Sequence, residues 1–398
     1  MPPSSWRSPG LVLLAGSLLM IVTFGTRAGF GLFLAPMSSD LGWGREIFAL
    51  ALAIQNLCWG ACQPFAGALA DRYGSGKTLA LGTLVYAAGV LIMATTAGPL
   101  TLHLSAGVLV GLGLAGSSVG IVLAAVSRTV PEQRRSRSLG LVMAAGSLGQ
   151  FLMVPLGQTL LGAFGWSMAL MILGIIVLLA TPLSIVLTGR PEETGASQSV
   201  TDALHEAGRH GSYWLLIAGF FVCGFHVAFI AAHLPAYITD LGFDPGLGAW
   251  ALALVGLFNV VGSYSSGVLG GRYSKKYLLS FLYFARAVLI ALFVSIPPTP
   301  ATVLVFAAIM GLLWLSTVPL TSGLVAQMFG PRYMGMLFGI VFFSHQVGSF
   351  LGVWLGGYLF DATGSYDVVW WAGVALGVFA GLVHWPIRET QVVRLAPT

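Results

Sequence analysis

The 398-residue chain is 57% hydrophobic and only 8% charged, with 18 basic and 13 acidic side chains and a formal charge of +5. A soluble globular domain carries about 25% charged residues, so these few ionised groups exclude a water-soluble enzyme of this size. The apolar runs are continuous over about 20 residues, where an outer-membrane barrel would alternate over about 10, and a polytopic all-α membrane protein is what remains.

In chain order, twelve apolar segments are predicted as membrane helices, near 11–36, 46–70, 78–97, 100–126, 139–162, 167–188, 213–237, 247–270, 277–296, 301–327, 337–360 and 367–386. Fifty-three glycines suit such a bundle, because small residues let helices approach closely in lipid. The first segment is too long for a cleaved signal peptide and reads as a retained helix. With both termini placed in the cytoplasm, fifteen of the eighteen Lys and Arg fall on the inner side. Arg45 alone lies outside, and Arg27 and Arg286 lie within spans. That asymmetry follows the positive-inside rule and predicts a multi-pass protein of the inner membrane. The positive charge is thereby assigned to inner loops, and no nucleic-acid partner is expected.

The longest polar stretch, 190–212, separates an N-terminal bundle (1–189) from a C-terminal one (213–398). At an offset of 200, Gly67, Leu69, Arg72, Tyr73 and Leu79 match Gly267, Leu269, Arg272, Tyr273 and Leu279, and Pro131 matches Pro331. Two six-helix repeats are the expectation, an architecture used by secondary transporters.

The loop after the second span reads Gly67-Ala-Leu-Ala-Asp71-Arg72-Tyr-Gly74-Ser-Gly76-Lys77. It closely resembles the signature between spans two and three of the major facilitator superfamily. Asp71 at a helix end can pair with basic groups of neighbouring helices and latch one conformation, with Arg72 beside it. Gly67 is expected to permit close packing, and Gly74 and Gly76 the turn. The second copy has Gly271 in place of Asp71, so the latch is expected to be one-sided.

The run Gly29-Phe30-Gly31-Leu-Phe33-Leu-Ala-Pro36-Met-Ser-Ser-Asp40-Leu-Gly42-Trp43 resembles the monocarboxylate transporter and oxalate/formate antiporter branch of that superfamily. The resemblance implies the major facilitator fold, with twelve helices in two six-helix bundles, and places Arg27 where animal members carry a lysine. It also implies an Asp-x-x-x-Arg pair in span eight. This chain has Asn259-Val-Val-Gly-Ser263 there, with both charges missing.

Other patterns lead nowhere. Gly74-Ser-Gly76-Lys77-Thr78 lacks the first glycine of a phosphate loop, and His205-Glu206 with His210 misses the spacing of a metalloprotease helix. Cys58 and Cys62 lie on one helical face without further ligands and read as small core residues. No catalytic residue, metal or cofactor is expected.

The working parts should then be intramembrane polar groups. An ionised Arg at mid-bilayer costs about 2.5–3.5 kcal/mol on insertion scales, so it faces a partner or a watery cavity. Arg27 is the first choice for an anion anchor and Arg286 the second; the other reading of each is a structural Arg bonded to backbone carbonyls. All thirteen acids lie in loops or at helix ends, which leaves His226 or His345 as proton carriers, with His233 and His103 nearer helix ends. Asn56, Gln150, Asn259 and Gln346 can orient a polar ligand or bond across helices, and Trp314 can wall the substrate's carbon part or pack the core.

The reading from sequence is therefore a monomeric secondary transporter that moves a small organic anion, a monocarboxylate, by alternating access with proton symport. An exporter of drugs or amphiphilic metabolites is one alternative, suited by Phe24, Phe30, Phe221, Phe225 and Trp314. A transporter-like receptor without net flux is the other.

Overall fold

A computed structural model describes residues 8–189, 200–330 and 334–391, and among these all regular structure is helical. Residues 190–199 of the proposed linker lie outside the described residues, as do Arg7, Pro331, Arg332 and Arg394, while Val200–Gly208 of the linker is a short helix. Eleven helical stretches are long and apolar enough to cross a membrane. The fifth, Arg137–Val186, is 50 residues long and contains a break at Gly165, where φ is 75° and ψ 173°. Each arm exceeds the roughly 20 residues a crossing needs, so this stretch supplies the fifth and sixth of twelve spans. The others are Pro9–Leu41, Arg45–Tyr73, Ser75–Ala94 and Pro99–Thr129, then Gly211–Asp240, Pro245–Gly270, Lys275–Ser295, Pro300–Phe329, Met334–Thr363 and Asp367–His384.

The fourth span is interrupted at Ser117–Ser118 and the sixth at Thr181–Pro182, and in the first and tenth spans the interruption follows from a proline. The first changes to a 3-10 turn over Phe30–Phe33. Pro36 has no N–H, and its ring would collide with the carbonyl of Leu32 in a continuous helix. The tenth stops at Leu313 and resumes at Thr317, where Pro319 does the same to the carbonyl of Leu315. The continuous helix expected over 301–327 is therefore two pieces.

Within the first half, the first and fifth spans pack along their length, and the third lies against the fourth and the fifth–sixth stretch. In the second half the seventh packs on the eleventh, the eighth on the tenth and the ninth on the twelfth. The halves meet through three pairs of spans: two with eleven, five with eight, and the bent part of one with seven. At that last crossing a Cβ on Gly31 would strike the backbone of Ala231 and Ala232, so only glycine allows the approach.

These contacts are confined to the side away from the chain ends and to the middle of the bundle. They run from Gly357 on Arg45 and Ala49 down to Gly60 on Gln346, and down to Asn259 on Ser147. Beyond those points, toward the chain ends, Phe65, Leu141 and Tyr264 of spans two, five and eight are exposed. The gap between the halves is thus closed on the far side and splayed on the side of the termini.

Candidate functional site

Arg27 closes the helical part of the first span, one turn before the 3-10 break, and its side chain turns toward the gap. Its Nη2 donates to Asn56 Oδ1 at 2.5 Å, and its Cζ sits 4.8 Å from the centre of the Trp59 ring. Its buried Nε has no partner among the described residues. Asn56 is in turn oriented by its own Nδ2, which donates to Leu52 O at 2.8 Å. A small cleft opens here between four spans. Arg27 and Asn56 line it from one half, and Ala228, Ala231 and Val353 from the other. No other charged side chain lines it.

From the Trp59 ring beside the guanidinium, a chain of rings runs outward. Trp59 meets Phe24 of the first span edge-on at 5.8 Å and Phe342 of the eleventh at 5.4 Å. Phe342 stacks on His345 at 5.7 Å, and His345 Nδ1 lies 3.0 Å from Gln346 Oε1. Trp59 and Phe342 were not legible as site residues. Their only signal is that aromatic residues in spans two and eleven fall at the depth of Arg27.

The remaining candidates are brought to other places. Arg286 is fully buried in span nine and donates from Nε and Nη2 to Leu313 O, at 3.2 and 2.5 Å, and from Nη2 to Trp314 O. Those carbonyls are released by the break in span ten, so Arg286 has the backbone-bonded arrangement that was one of its two readings. Asn259 serves the same break from the other side. Its Oδ1 accepts from Leu315 N at 3.0 Å and from Ser263 Oγ, while its Nδ2 donates to Ser147 Oγ at 2.9 Å. Trp314 is part of the break and is buried. Gln150 donates to Leu252 O at 2.8 Å across the seam of spans five and eight. None of these four lines the cleft.

The two histidines also separate. His226 turns away from the gap, with Nε2 2.7 Å from Gly373 O of span twelve. His345 stays beside the ring cluster. His233 lies between Val353 O and the hydroxyl of Tyr366, and His103 Nε2 reaches Ile47 O.

The loop signature is corrected in two particulars. A Cβ on Gly67 would meet nothing, so this glycine makes no close packing in this conformation. Gly74 makes the turn, with φ 98°, whereas Gly76 lies inside the third span and packs against Ser184 and Thr188. Asp71 and Arg72 are exposed, and among the described residues Asp71 makes no ion pair. Arg128 donates to Ser75 Oγ at 2.9 Å beside this turn.

On the far side lies a constellation that sequence reasoning missed. Arg45 makes a two-pronged pair with Asp240, both bonds 2.6 Å, and donates to Tyr366 Oη at 2.8 Å. Asp361 accepts from the N–H groups of Arg45 and Glu46 at 2.9 and 2.8 Å, capping the second span from the other half. Burial holds the Tyr366 hydroxyl well above the usual tyrosine range, so it stays protonated.

A twelve-span helical bundle in two linked halves, with a charged cleft at mid-depth, is the build of a membrane transporter. The family model of the Major Facilitator Superfamily matches residues 16–352 and again 239–398, and the chain belongs to that superfamily. It is 27% identical to an uncharacterized MFS-type transporter, YcxA, of Bacillus subtilis (strain 168), over 99% of this chain and 96% of that one. It is 28% identical to monocarboxylate transporter 13 of Bos taurus, over 92% of this chain and 85% of the relative. Its fold is similar to the crystal structure of a bacterial homolog to the human lysosomal transporter Spinster in an inward-facing, unoccupied conformation. The TM-score is 0.78 at 15% identity, over 96% and 97% of the two chains.

Proposed function

We propose that this transporter carries a small organic monoanion, a monocarboxylate, bound between halves 1–189 and 213–398 that rock about the Arg27 cleft. The observation that carries the reading is the placement of Arg27: a mid-span guanidinium with one amide partner, a free Nε donor and no acid beside it, in a cleft lined by both halves. A planar fork of donors matches a carboxylate. A single positive charge in the lining favours one negative charge on the ligand, as does the similarity to a monocarboxylate transporter of Bos taurus.

We place both termini in the cytoplasm of an inner membrane, so the splayed side is the cytoplasmic one. Import of an anion against a negative interior costs about 2.3 kcal/mol per charge per 100 mV, which favours proton symport. Of the two histidines considered, His345 is the better proton carrier, because His226 is bonded to span twelve outside the gap.

The test is uptake of labelled small acids by vesicles containing the purified protein, with and without an inward proton gradient. At least one carboxylate should accumulate, faster with the gradient, and Arg27→Ala should abolish it. If no acid moves and a lipophilic dye is transported regardless of Arg27→Ala, the exporter reading replaces this one. Binding without uptake would favour a receptor.

A further inference from the structure

Of the buried N–H donors with no acceptor among the described residues, which include Arg286 Nη1 and Trp370 Nε1 elsewhere, three gather near Arg27: its own Nε, Trp59 Nε1 and Gln346 Nε2. Trp59 is 7% exposed and Gln346 is fully buried, so water does not serve them freely. Leaving a buried donor unmade is costly, and native structures rarely do it without a reason. The three sit on adjoining surfaces. Arg27 lies over the Trp59 ring, and Gly60, next in the chain to Trp59, packs on the Gln346 side chain. One donor belongs to the first span, one to the second and one to the eleventh, so the group spans the seam between the halves.

Around these donors stand three rings, Phe24, Trp59 and Phe342, arranged edge to face with centres 5.4–5.8 Å apart along Phe24–Trp59–Phe342. Phe24 and Phe342 are only partly buried, so each leaves some ring surface uncovered at the gap. An aromatic ligand ring extends such a cluster favourably, its edge on one face and its face on another edge, whereas a saturated ring of the same size has no quadrupole to match.

We propose that the Arg27 site selects an aromatic monocarboxylate, whose carboxylate takes Arg27 and one of the orphan N–H donors while its ring enters the Phe24–Trp59–Phe342 cluster. The inference rests on the anion reading above and narrows it to one substrate class. Trp59 and Phe342 are its specificity-determining residues, and because Phe342 comes from the second half, ligand binding ties the two halves together at mid-depth.

The test is direct binding by titration calorimetry to the full-length protein in detergent at neutral pH, where all probes are ionised. The probes are benzoate, cyclohexanecarboxylate and propionate. Benzoate should bind about tenfold tighter than cyclohexanecarboxylate, the size of one or two aromatic pairings. Trp59→Leu and Phe342→Leu should each bring the two acids to similar affinity, and Arg27→Gln should remove binding of both. If cyclohexanecarboxylate equals benzoate in the unaltered protein, the aromatic selection is wrong while the anion site stands. If no acid binds and Arg27→Gln changes nothing, both fail. Should Trp59→Leu not fold, Phe342→Leu and the unaltered protein still decide between these outcomes.

Discussion

Two arginines of this chain sit in lipid-embedded helices, and their surroundings differ. Arg286 gives its Nε and Nη2 donors to the carbonyls freed at the break of span ten, while its Nη1 has no partner among the described residues. Removing it leaves those carbonyls unpaired in a buried place, which costs about 1–3 kcal/mol for each lost partner. Arg286→Ala should therefore lower the unfolding temperature in detergent markedly, even with no substrate present. Arg27 has one amide partner and a part-exposed side chain. Arg27→Gln should leave the unfolding temperature within a few degrees, because a neutral amide relieves a desolvated charge. It should also weaken anion binding at least tenfold, since a hydrogen bond to a charged group is worth about 1.5–3 kcal/mol. A protein in which the two variants exchange these effects would have its anchor in span nine. Sequence ranked Arg27 ahead of Arg286 only through the resemblance, for both are lone arginines in apolar runs, and the position of the carbonyls is what distinguishes their surroundings.

The break in the tenth span exposes backbone groups that other spans must serve. They are met by three side chains from spans eight and nine: Arg286 at Leu313 and Trp314, Asn259 at the Leu315 N–H, and Ser266 at the Ser316 carbonyl. Asn259 also reaches across the gap to Ser147. Asn259→Leu should cost about 1–3 kcal/mol through the orphaned Leu315 N–H. Thermal unfolding would register that loss, whereas Gln150→Leu, which gives up a single carbonyl bond, should cost less. Pro319 was visible in the sequence, and a proline inside a span is a standing cue for a break. What was not visible is that Asn259, at the place where relatives of the resembled branch carry an acid, is committed to that break.

At the scale of the molecule, the closed far side and the splayed termini side are held by different residues, which makes the balance between them testable. Arg45–Asp240 joins the halves through a partly exposed pair, with the side chains 14% and 33% accessible, so its worth is near the upper end of a surface bridge, about 1 kcal/mol. Arg45→Ala should therefore shift the population toward far-side-open forms by roughly fivefold, as read by labelling of a cysteine placed at the far-side seam. Among the described residues Asp71 has no ion-pair partner in this conformation, as expected of a latch for the opposite one. Asp71→Asn should shift labelling in the other direction. If both substitutions moved the population the same way, the two loops would not be opposing latches.

The twelve crossings, the two-part organisation and the superfamily were legible from the chain itself, because the length of an apolar run, the sidedness of Lys and Arg, and a loop signature are local properties. Gly74 as the turn was equally local, since its positive φ is one that glycine adopts without strain. The roles of Arg286, Asn259, Trp314 and His226 were decided only by tertiary structure. A polar side chain in a span must find a partner, and which partner depends on the helix that packs opposite and on where that helix breaks. The same holds for Trp59 and Phe342, and for Arg45 with Asp240, which lie far apart in sequence and meet only because the two halves close on one side.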